Sequence, residues 1–443
     1  MMNKMPCLLI ACFVLSAAYA EEPAASESTK RADTIRYGIE TQVIELLSTL
    51  KAEKSDEFKK EILEAFDASS SPKLKSAIFD YLGALKLADG EARAAEAIKS
   101  RDSNADDFVS SAFSYLATIE SEAAIDEAVE ILSSDEKRYL QAAIKAIGVS
   151  GSDAEAEALQ KAYEAEGVEQ ATKEAIVLAL GKMRSVASFD LLASIASSDE
   201  SSKAIRMYAC TALGDLGEER AVAVLAGASV SNDPNVRAAA VAALGNYATE
   251  AARSAVREGL RDAHVLPRIA AAKAAGRSRD GDSVPFLEYK ASYDPEKAVR
   301  EASIEALAEI GGGRVDEYLT AFMADSRNST QYRSVALGAI VAKGGIEARA
   351  KALAAFVVAQ AEKDRTLYTA FARAAMSVDD QNASPFAEVL LGDKEFSMRL
   401  GAIAWAERNR ALSLKGTLQA LSETDSNDAV KKRAARALER LAP

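Results

Sequence analysis

One unit of about 32 residues recurs twelve times along this chain of 443 residues, and no other feature restricts the possible folds as strongly. Residues 205–214, 235–245 and 299–308 are three copies of it, each with an Arg near the start and small or apolar residues towards the end. Successive copies lie 31 to 35 residues apart, measured at one marker position. The marker residues are Gly83, Ala117, Gly148, Gly181, Gly214, Gly245, Gly276, Ala308, Val341, Met376, Glu407 and Glu439.

Hydrophobic spacing predicts two helices in each unit. Within one copy, Val236, Ala240 and Leu244 recur at helical intervals, and a second apolar-periodic stretch of about 12 residues, such as 185–197, lies between copies. Turn-forming residues such as Asp233 separate the two helices. Because a single helical hairpin cannot bury its apolar face alone, consecutive hairpins must stack. The sequence therefore predicts an all-α solenoid, and no strand pattern is present.

The repeated helix carries a recognisable motif. An Asp, then a Val-Arg pair, then an Ala occurs in residues 294–307, and parts of the same pattern occur in residues 262–276 and, with Met-Arg, in residues 393–399. These motifs resemble HEAT repeats, and most closely the short HEAT-like repeats of the phycobilisome-lyase type. The resemblance implies a right-handed α-solenoid of about twelve hairpins over residues 56–443, with the Arg-bearing helices on its concave face. It also implies a family made up mainly of scaffolds and adaptors, with a minority of enzymes.

The first 20 residues have the features of a secretory signal peptide. A positive charge at Lys4 precedes an apolar run of 11 residues, and an Ala-x-Ala cleavage site ends at Ala20. We expect cleavage after Ala20 and export, most simply as a soluble protein of a bacterial periplasm. The alternative is a lipoprotein anchored through Cys12, because residues 9–12 resemble a lipobox. No second apolar stretch reaches the length of about 20 residues that a membrane-spanning helix needs.

Two further segments precede the repeats. Residues 21–33 are polar and lack an apolar period, which predicts a flexible leader. Residues 34–50 predict an N-terminal capping helix, and the repeat solenoid is expected over residues 56–443.

Arg and Asp recur in register along the repeated helices. A row of cations could bind an acidic partner, but an acid accompanies each of these Arg residues. We therefore favour a structural ladder in which Arg bonds an Asp or a helix-end carbonyl, and Asp caps a helix. The ladder residues are Arg206, Arg237, Arg268, Arg300, Arg333, Arg399, Asp199, Asp233, Asp262, Asp294, Asp325 and Asp393.

Two candidate partner surfaces follow from positions that point away from the apolar stripe. The first is an apolar track, defined by Leu178, Met207, Ala238, Ala242 and Ile269, which would form a partner groove on the concave face if solvent reaches it. The alternative is that curvature of the solenoid buries these residues between units. The second candidate surface is cationic and lies in the last helix, at Lys432 and Arg436.

The amino-acid composition argues against catalytic, metal and nucleic-acid-binding sites. The chain has one His, His264, and a mature chain cut after Ala20 would have one Cys, Cys210. The sequence thus predicts no catalytic residues, no cofactor and no metal site. A net charge of −13 also disfavours a nucleic-acid partner. We therefore predict an exported, non-catalytic scaffold or adaptor that binds a protein or peptide. The alternative is a lyase-type or other enzyme of the HEAT-like repeat family.

Overall fold

The computed structural model describes residues 27–134, 136–362 and 365–441. Within these ranges every regular element is a helix, and 26 of them are α-helices. The first thirteen are α1 Glu27–Tyr37, α2 Glu40–Glu53, α3 Lys59–Ala68, α4 Pro72–Ala84, α5 Glu91–Lys99, α6 Asp106–Thr118, α7 Ile125–Ser133, α8 Leu140–Ser150, α9 Asp153–Glu164, α10 Gln170–Met183, α11 Phe189–Ser197, α12 Lys203–Leu216 and α13 Ala221–Ala228. The others are α14 Pro234–Leu244, α15 Glu250–Gly259, α16 Val265–Arg277, α17 Val284–Tyr293, α18 Lys297–Ile310, α19 Gly313–Ala324, α20 Thr330–Lys343, α21 Ile346–Ala361, α22 Thr366–Met376, α23 Ser384–Leu391, α24 Phe396–Arg408, α25 Lys415–Thr424 and α26 Asp428–Arg440.

The twelve sequence copies correspond to the twelve even-numbered helices from α4 to α26. Each marker residue lies in one of these helices, except that Gly245 caps the C-terminus of α14. The odd-numbered helices occupy the intervals between copies. The prediction of an all-α solenoid of HEAT-like hairpins is confirmed.

Local sequence signals explain where the repeated helices begin. Asp233 accepts hydrogen bonds from the backbone N–H groups of Asn235 and Val236, and Pro234 occupies the first position of α14. Ser202 and Ser329 cap α12 and α20 in the same way. Side-chain caps satisfy N–H groups that have no partner within the helix, so these residues fix the starts of α12, α14 and α20.

The chain divides into two compact units, residues 1–127 and 128–443. In the first unit α4 packs between α2 and α6, and α1 packs on α2 and α3. Its core includes a group of aromatic rings, in which Phe79 lies 5.0 Å from Phe66, 5.6 Å from Phe108 and 5.2 Å from Tyr115 between ring centroids. Aromatic packing of this kind buries large apolar area in a short stretch of chain.

The second unit holds ten of the twelve repeated helices. The even-numbered helices from α8 to α26 pack on one another in chain order, and most of the odd-numbered helices pack against the next even helix. In α14, Val236, Ala240, Val241 and Leu244 are buried, which is the apolar stripe that the sequence predicts. The hydrophobic core therefore runs as a layer between the two rows of helices.

The predictions for the N-terminal segments need correction. Residues 27–33 of the expected leader belong to α1, and residues 34–50 are not one helix, because α1 ends at Tyr37 and α2 begins at Glu40. Arg31 holds α1 in place by pairing with Glu53 of α2 at 2.6 Å, and Ile35 is buried. A polar composition hid this helix, since a single buried apolar residue gives no visible period.

The signal peptide, Cys12 and residues 21–26 lie outside the described residues. Within the described part of the chain, no helix combines the length and apolar character needed to cross a bilayer.

Candidate functional site

The exposed side of the even-numbered helices, called here the repeated-helix face, is shaped by the marker residues. In five copies the marker is a Gly whose added Cβ would lie only 2.6 to 2.9 Å from an Ala of the next even helix. The separation of two helices depends on the side chains at their contact, so these glycines bring the helices close together. The pairs are Gly148 with Ala179, Gly181 with Ala212, Gly214 with Ala243, Gly245 with Ala274, and Gly276 with Ala306. We call α8 to α16 the Gly-marked stretch.

The marker position changes after α16. From α18 to α26, called here the open stretch, it holds side chains in place of Gly: Ala308, Val341, Met376, Glu407 and Glu439. Trp405 stands in α24 where the preceding copies from α8 onwards have a small Ala, and its buried indole N–H donates to the Val378 carbonyl at 2.8 Å. Larger groups at these contacts keep the even helices further apart.

The apolar track lies in the Gly-marked stretch. Leu178 is 45% exposed, whereas Met207, Ala238, Ala242 and Ile269 are half-buried. The track is therefore neither fully buried between units nor an open groove. Close helix packing leaves it shallow, and exposed Thr211 and Lys273 interrupt it.

The open stretch contains a cavity of about 530 Å³ on the same face. It lies over α20 and reaches α18 and α22, and we call it the α20 notch. Most of its lining residues are small and apolar, including Ala308, Gly338, Ala339, Ala342, Ala370 and Ala374. A volume of several hundred Å³ is typical of sites that bind small ligands or side chains.

Charged side chains stand at the two ends of the α20 notch. Glu305 and Glu309 come from α18, and Arg373 comes from α22. Glu309 pairs with Lys343 at 3.1 Å. In contrast, Glu305 and Arg373 are exposed, and neither forms an ion pair with any residue that the structure describes.

Three ladder arginines connect one repeat to the next. Arg237 donates to Asp262 at 2.7 and 2.9 Å, Arg268 to Asp294 at 3.1 Å, and Arg399 to Asp425 at 2.9 Å. The acid in each pair precedes the following even helix. These arginines also donate to backbone carbonyls just before their own helix, such as Asp262 and Ala263 for Arg268. Arg and Asp therefore join neighbouring hairpins.

The ladder carboxylates are held in their charged form. Hydrogen bonds from the Arg237 guanidinium lower the pKa of Asp262. Burial alone would raise the pKa of Asp294, but the Glu296 backbone N–H and the cations of Arg268 and Lys290 bring it below its usual value. For Asp425, the opposing effects of burial and of Arg399 again leave the pKa lowered. Charge-assisted hydrogen bonds to a buried carboxylate account for this direction.

Several predicted ladder residues have other contacts. Arg206 pairs with Asp199 of its own unit at 2.7 Å. Arg300 and Arg333 bond no Asp in the described structure, and each donates through Nε to a carbonyl at the end of the preceding helix, at 2.8 and 2.7 Å. For these two residues the partner is a helix-end carbonyl rather than an Asp.

Two of the ladder acids have other partners. Asp233 accepts backbone and Asn235 side-chain N–H groups as the N-cap of α14. Asp325 pairs with Arg327, two residues on, at 2.7 Å. Where a ladder Arg pairs with an acid of another repeat, the acid belongs to the next copy.

Tyr368 takes the place of the ladder Arg in α22. Its hydroxyl donates to Asp393 at 2.7 Å, and Arg365 supplies the positive charge to the same carboxylate at 3.0 Å. Gln360 donates to it as well, at 2.8 Å. The function of one guanidinium is therefore divided among three side chains, and the tie between repeats is kept.

The second candidate surface lies at the C-terminal end. Lys432 and Arg436 are exposed in α26 and form no ion pair in the described structure, whereas Arg433 and Arg440 both pair with Glu407. Glu407, the marker residue of α24, therefore neutralises part of the positive charge on α26.

Neither candidate reactive residue lies in a reactive setting. His264 is exposed, and its Nδ1 accepts the Leu266 N–H at 3.2 Å as the N-cap of α16. Cys210 is fully buried, and burial raises the pKa of its thiol to about 11. Within the described ranges no group of three or more His, Cys, Asp or Glu could hold a metal ion.

Sequence reasoning missed the α20 notch. Ser334 and Gly338 occupy outward positions of their copy, but neither a Ser nor a Gly adds an apolar side chain to a track. The available signal was the change from Gly to larger residues at the marker position, together with Trp405 in place of Ala.

Comparison with known proteins identifies the repeat type. A family model described as spirochaete HEAT repeat protein matches residues 35–437. This match confirms the predicted resemblance to HEAT repeats. Among curated proteins, none matches the chain.

Several solved structures are similar to the chain. Kap121p aligns with a TM-score of 0.44 and 11% identity over 93% of this chain and 53% of Kap121p, so the chain spans about half the length of that protein. The CpcE and CpcF complex of phycocyanin lyase from Nostoc sp. PCC7120 aligns with a TM-score of 0.34 and 21% identity, over 65% of this chain and 94% of that one. Human deoxyhypusine hydroxylase in complex with glycerol aligns with a TM-score of 0.27 and 17% identity, over 57% of this chain and 95% of that one.

Proposed function

Since the chain belongs to the spirochaete HEAT repeat protein family, we propose that it is an exported, non-catalytic scaffold that binds a protein or peptide partner along the repeated-helix face. The observation that carries this proposal is the α20 notch, an apolar concavity of about 530 Å³ on that face. Stacked helical repeats give an extended surface for recognition, and apolar concavities with polar margins are typical interaction sites.

The settings of the potentially reactive side chains support a binding function. The His264 imidazole caps a helix, and the buried Cys210 thiol stays protonated at neutral pH because its pKa is raised to about 11. A nucleophilic Cys needs a lowered pKa and access to solvent. Charges on the repeated-helix face instead occur as ion pairs or as single exposed groups, which suits recognition.

Site-directed photo-crosslinking tests the binding surface. The photoreactive residue p-benzoylphenylalanine would replace Ser334, which lines the α20 notch, in cells that express the protein naturally. The matched control is the same replacement at exposed Ser254, which lies on odd-numbered α15. We expect a defined crosslinked partner at Ser334 and none at Ser254. Equal crosslinking at both positions, or none at Ser334, would count against the repeated-helix face.

Export is tested at the N-terminus. We expect a Cys12→Ser variant to mature normally and an Ala20→Arg variant to remain unprocessed, because the residue before a signal-peptidase site must be small. Mass spectrometry of the mature N-terminus reads both results. A lipidated Cys12 at the mature N-terminus would replace this proposal with a membrane-anchored protein.

A further inference from the structure

Gly338 has no packing reason to be a Gly. A Cβ added to Gly338 would lie 3.6 Å from the Cβ of Ala374, which is an ordinary contact, whereas at Gly245 it would lie 2.7 Å from the Cβ of Ala274. Gly338 is in the middle of α20, where Gly destabilises a helix relative to Ala. The missing side chain thus gives up helix stability and leaves the floor of the α20 notch open.

The charges that flank the notch have opposite signs and share a register. Glu305 in α18, Gly338 in α20 and Arg373 in α22 occupy the same position of three successive copies. They therefore form a line across the helices, from a carboxylate, over a small floor, to a guanidinium, and neither charge has an ion-pair partner among the described residues. With neighbouring helix axes roughly 8–10 Å apart, the ends of this line are about 16–20 Å apart.

This pattern restricts the chemistry of a ligand. A bulky apolar side chain gains burial by filling the small-residue floor. A basic residue would complement Glu305, and an acidic residue would complement Arg373. An extended peptide in the polyproline II conformation advances about 3.1 Å per residue with three residues per turn, so charges three residues on either side of the apolar residue lie on the same face and match the length of the line.

We propose that the α20 notch binds an extended segment of a partner protein in which a bulky apolar side chain lies between a basic and an acidic residue. The inference rests on the proposed function, since it specifies the partner chemistry of the same face. The apolar side chain occupies the notch over Gly338, and the two charges set the position of the segment across α18, α20 and α22.

Synthetic peptides and alanine-methyl NMR test this proposal on the mature protein. The probe is acetyl-Gly-Lys-Ser-Ser-Trp-Ser-Ser-Asp-Gly-amide. Control peptides carry Lys at both charged positions, Asp at both, or Ala in place of Trp. We expect saturable shifts of the methyl signals of Ala339, Ala342, Ala370 and Ala374, with roughly fivefold weaker binding of the two like-charged peptides. The peptide without Trp should give no saturable shift.

Variants of the protein separate steric from charge effects. Gly338→Leu fills the notch and should weaken binding of the probe at least about tenfold. The matched control is Gly416→Leu, at an exposed Gly of odd-numbered α25 with open space around it, which should leave binding unchanged. The exposed changes Glu305→Arg and Arg373→Glu should shift the preference towards the Asp-Asp and Lys-Lys peptides respectively. These two variants keep the test decisive if Gly338→Leu does not fold.

A failure of the α20 notch proposal can be distinguished from a failure of the proposed function. Shifts confined to Ala238 and Ala242 would overturn the notch but leave peptide binding on the repeated-helix face. Absence of saturable binding by the probe, or equal binding by all four peptides, would also overturn the notch. The proposed function then depends on crosslinking at Ser334, which does not assume this peptide chemistry.

Discussion

The Gly-marked stretch and the open stretch use one repeat position for different purposes. In the Gly-marked stretch, glycines such as Gly148 and Gly276 let even helices approach until an added Cβ would overlap an Ala of the next helix. In the open stretch that position carries larger side chains such as Val341, and the α20 notch lies between the helices. A single position therefore sets both the helix separation and the accessibility of the repeated-helix face.

The ties of α14 and α16 also differ from those of α18 and α20, whereas Arg399 further along the open stretch again pairs with the acid of the next copy, Asp425. Arg237 and Arg268 each pair with the Asp that precedes the next even helix. At the corresponding places of the open stretch, Arg300 and Arg333 donate to a helix-end carbonyl and lie against aromatic rings, Tyr332 at 3.8 Å and Phe371 at 5.9 Å. Helix-end hydrogen bonds and aromatic contacts therefore hold α20 in place, whereas buried ion pairs hold α14 and α16.

The largest effect is expected from breaking a buried tie. In Arg268→Met the Asp294 carboxylate, with a side chain only 1% exposed, would keep Lys290 as its single cationic partner. Removing one partner of a buried pair typically costs about 3 kcal/mol, and we expect a loss of that size in urea unfolding followed by circular dichroism.

The matched change in the open stretch is Arg333→Met. This side chain donates to a carbonyl, so the expected loss is about 1 kcal/mol. Equal losses for Arg268→Met and Arg333→Met would show that the buried ion pair adds nothing beyond ordinary packing, and the contrast between the two stretches would fail.

The marker position gives the next largest effect. Gly245→Val should destabilise the protein by about 2 kcal/mol, because overpacking a close helix contact typically costs 1–3 kcal/mol. Gly338→Ala should stabilise it by about 0.5 kcal/mol, since its Cβ meets only ordinary contacts and Ala favours a helix. Thermal and urea unfolding measure both signs. Destabilisation by Gly338→Ala would remove the distinction between the two glycines.

Much of this fold could be predicted from the sequence because repetition multiplies a weak signal. One amphipathic helix is ambiguous, but twelve copies at nearly constant spacing, with Asp233 and Ser202 as caps, leave little choice of architecture. The α1 helix escaped prediction because it occurs once and buries one apolar side chain, Ile35.

The candidate site was less predictable for a physical reason. Exposure on the repeated-helix face depends on helix separation, which is set by a contact between two copies rather than by either copy alone. Gly276 meets Ala306, and Gly245 meets Ala274, so the marker of one copy must be compared with the residue two positions before the marker of the next copy. The same shift by one copy explains why the Arg268 guanidinium pairs with the carboxylate of Asp294 and not with the carboxylate of Asp262.

Low pH should destabilise the contacts between repeats that ion pairs hold more than it destabilises the other contacts between repeats. The pKa values of Asp262 and Asp294 are lowered in the folded protein by Arg237, and by Arg268 with Lys290. A lowered folded-state pKa means that their contribution to stability is present above about pH 4–5 and is lost as pH falls through the folded pKa. Hydrogen exchange at pH 7 and pH 3.5 should show the greater loss of protection at α14, α16 and α18. A greater loss at α20 would contradict this assignment.

The smallest effects concern the apolar track, and they distinguish surface from packing within the Gly-marked stretch. Leu178 is 45% exposed, so Leu178→Glu should change the free energy of unfolding by no more than about 0.5 kcal/mol. Met207 and Ile269 are half-buried by close neighbours, and a Glu at either place would lose part of its hydration, at a cost of about 1 kcal/mol each. Circular dichroism melting of the three single variants, and of the Met207→Glu and Ile269→Glu double variant, measures how the destabilisation differs between these positions. A fall of more than about ten degrees in the midpoint of the double variant would assign the track to the core. No fall in any variant would make it an open surface comparable to the α20 notch, because a carboxylate that keeps its full hydration has no reason to destabilise the helices beneath it.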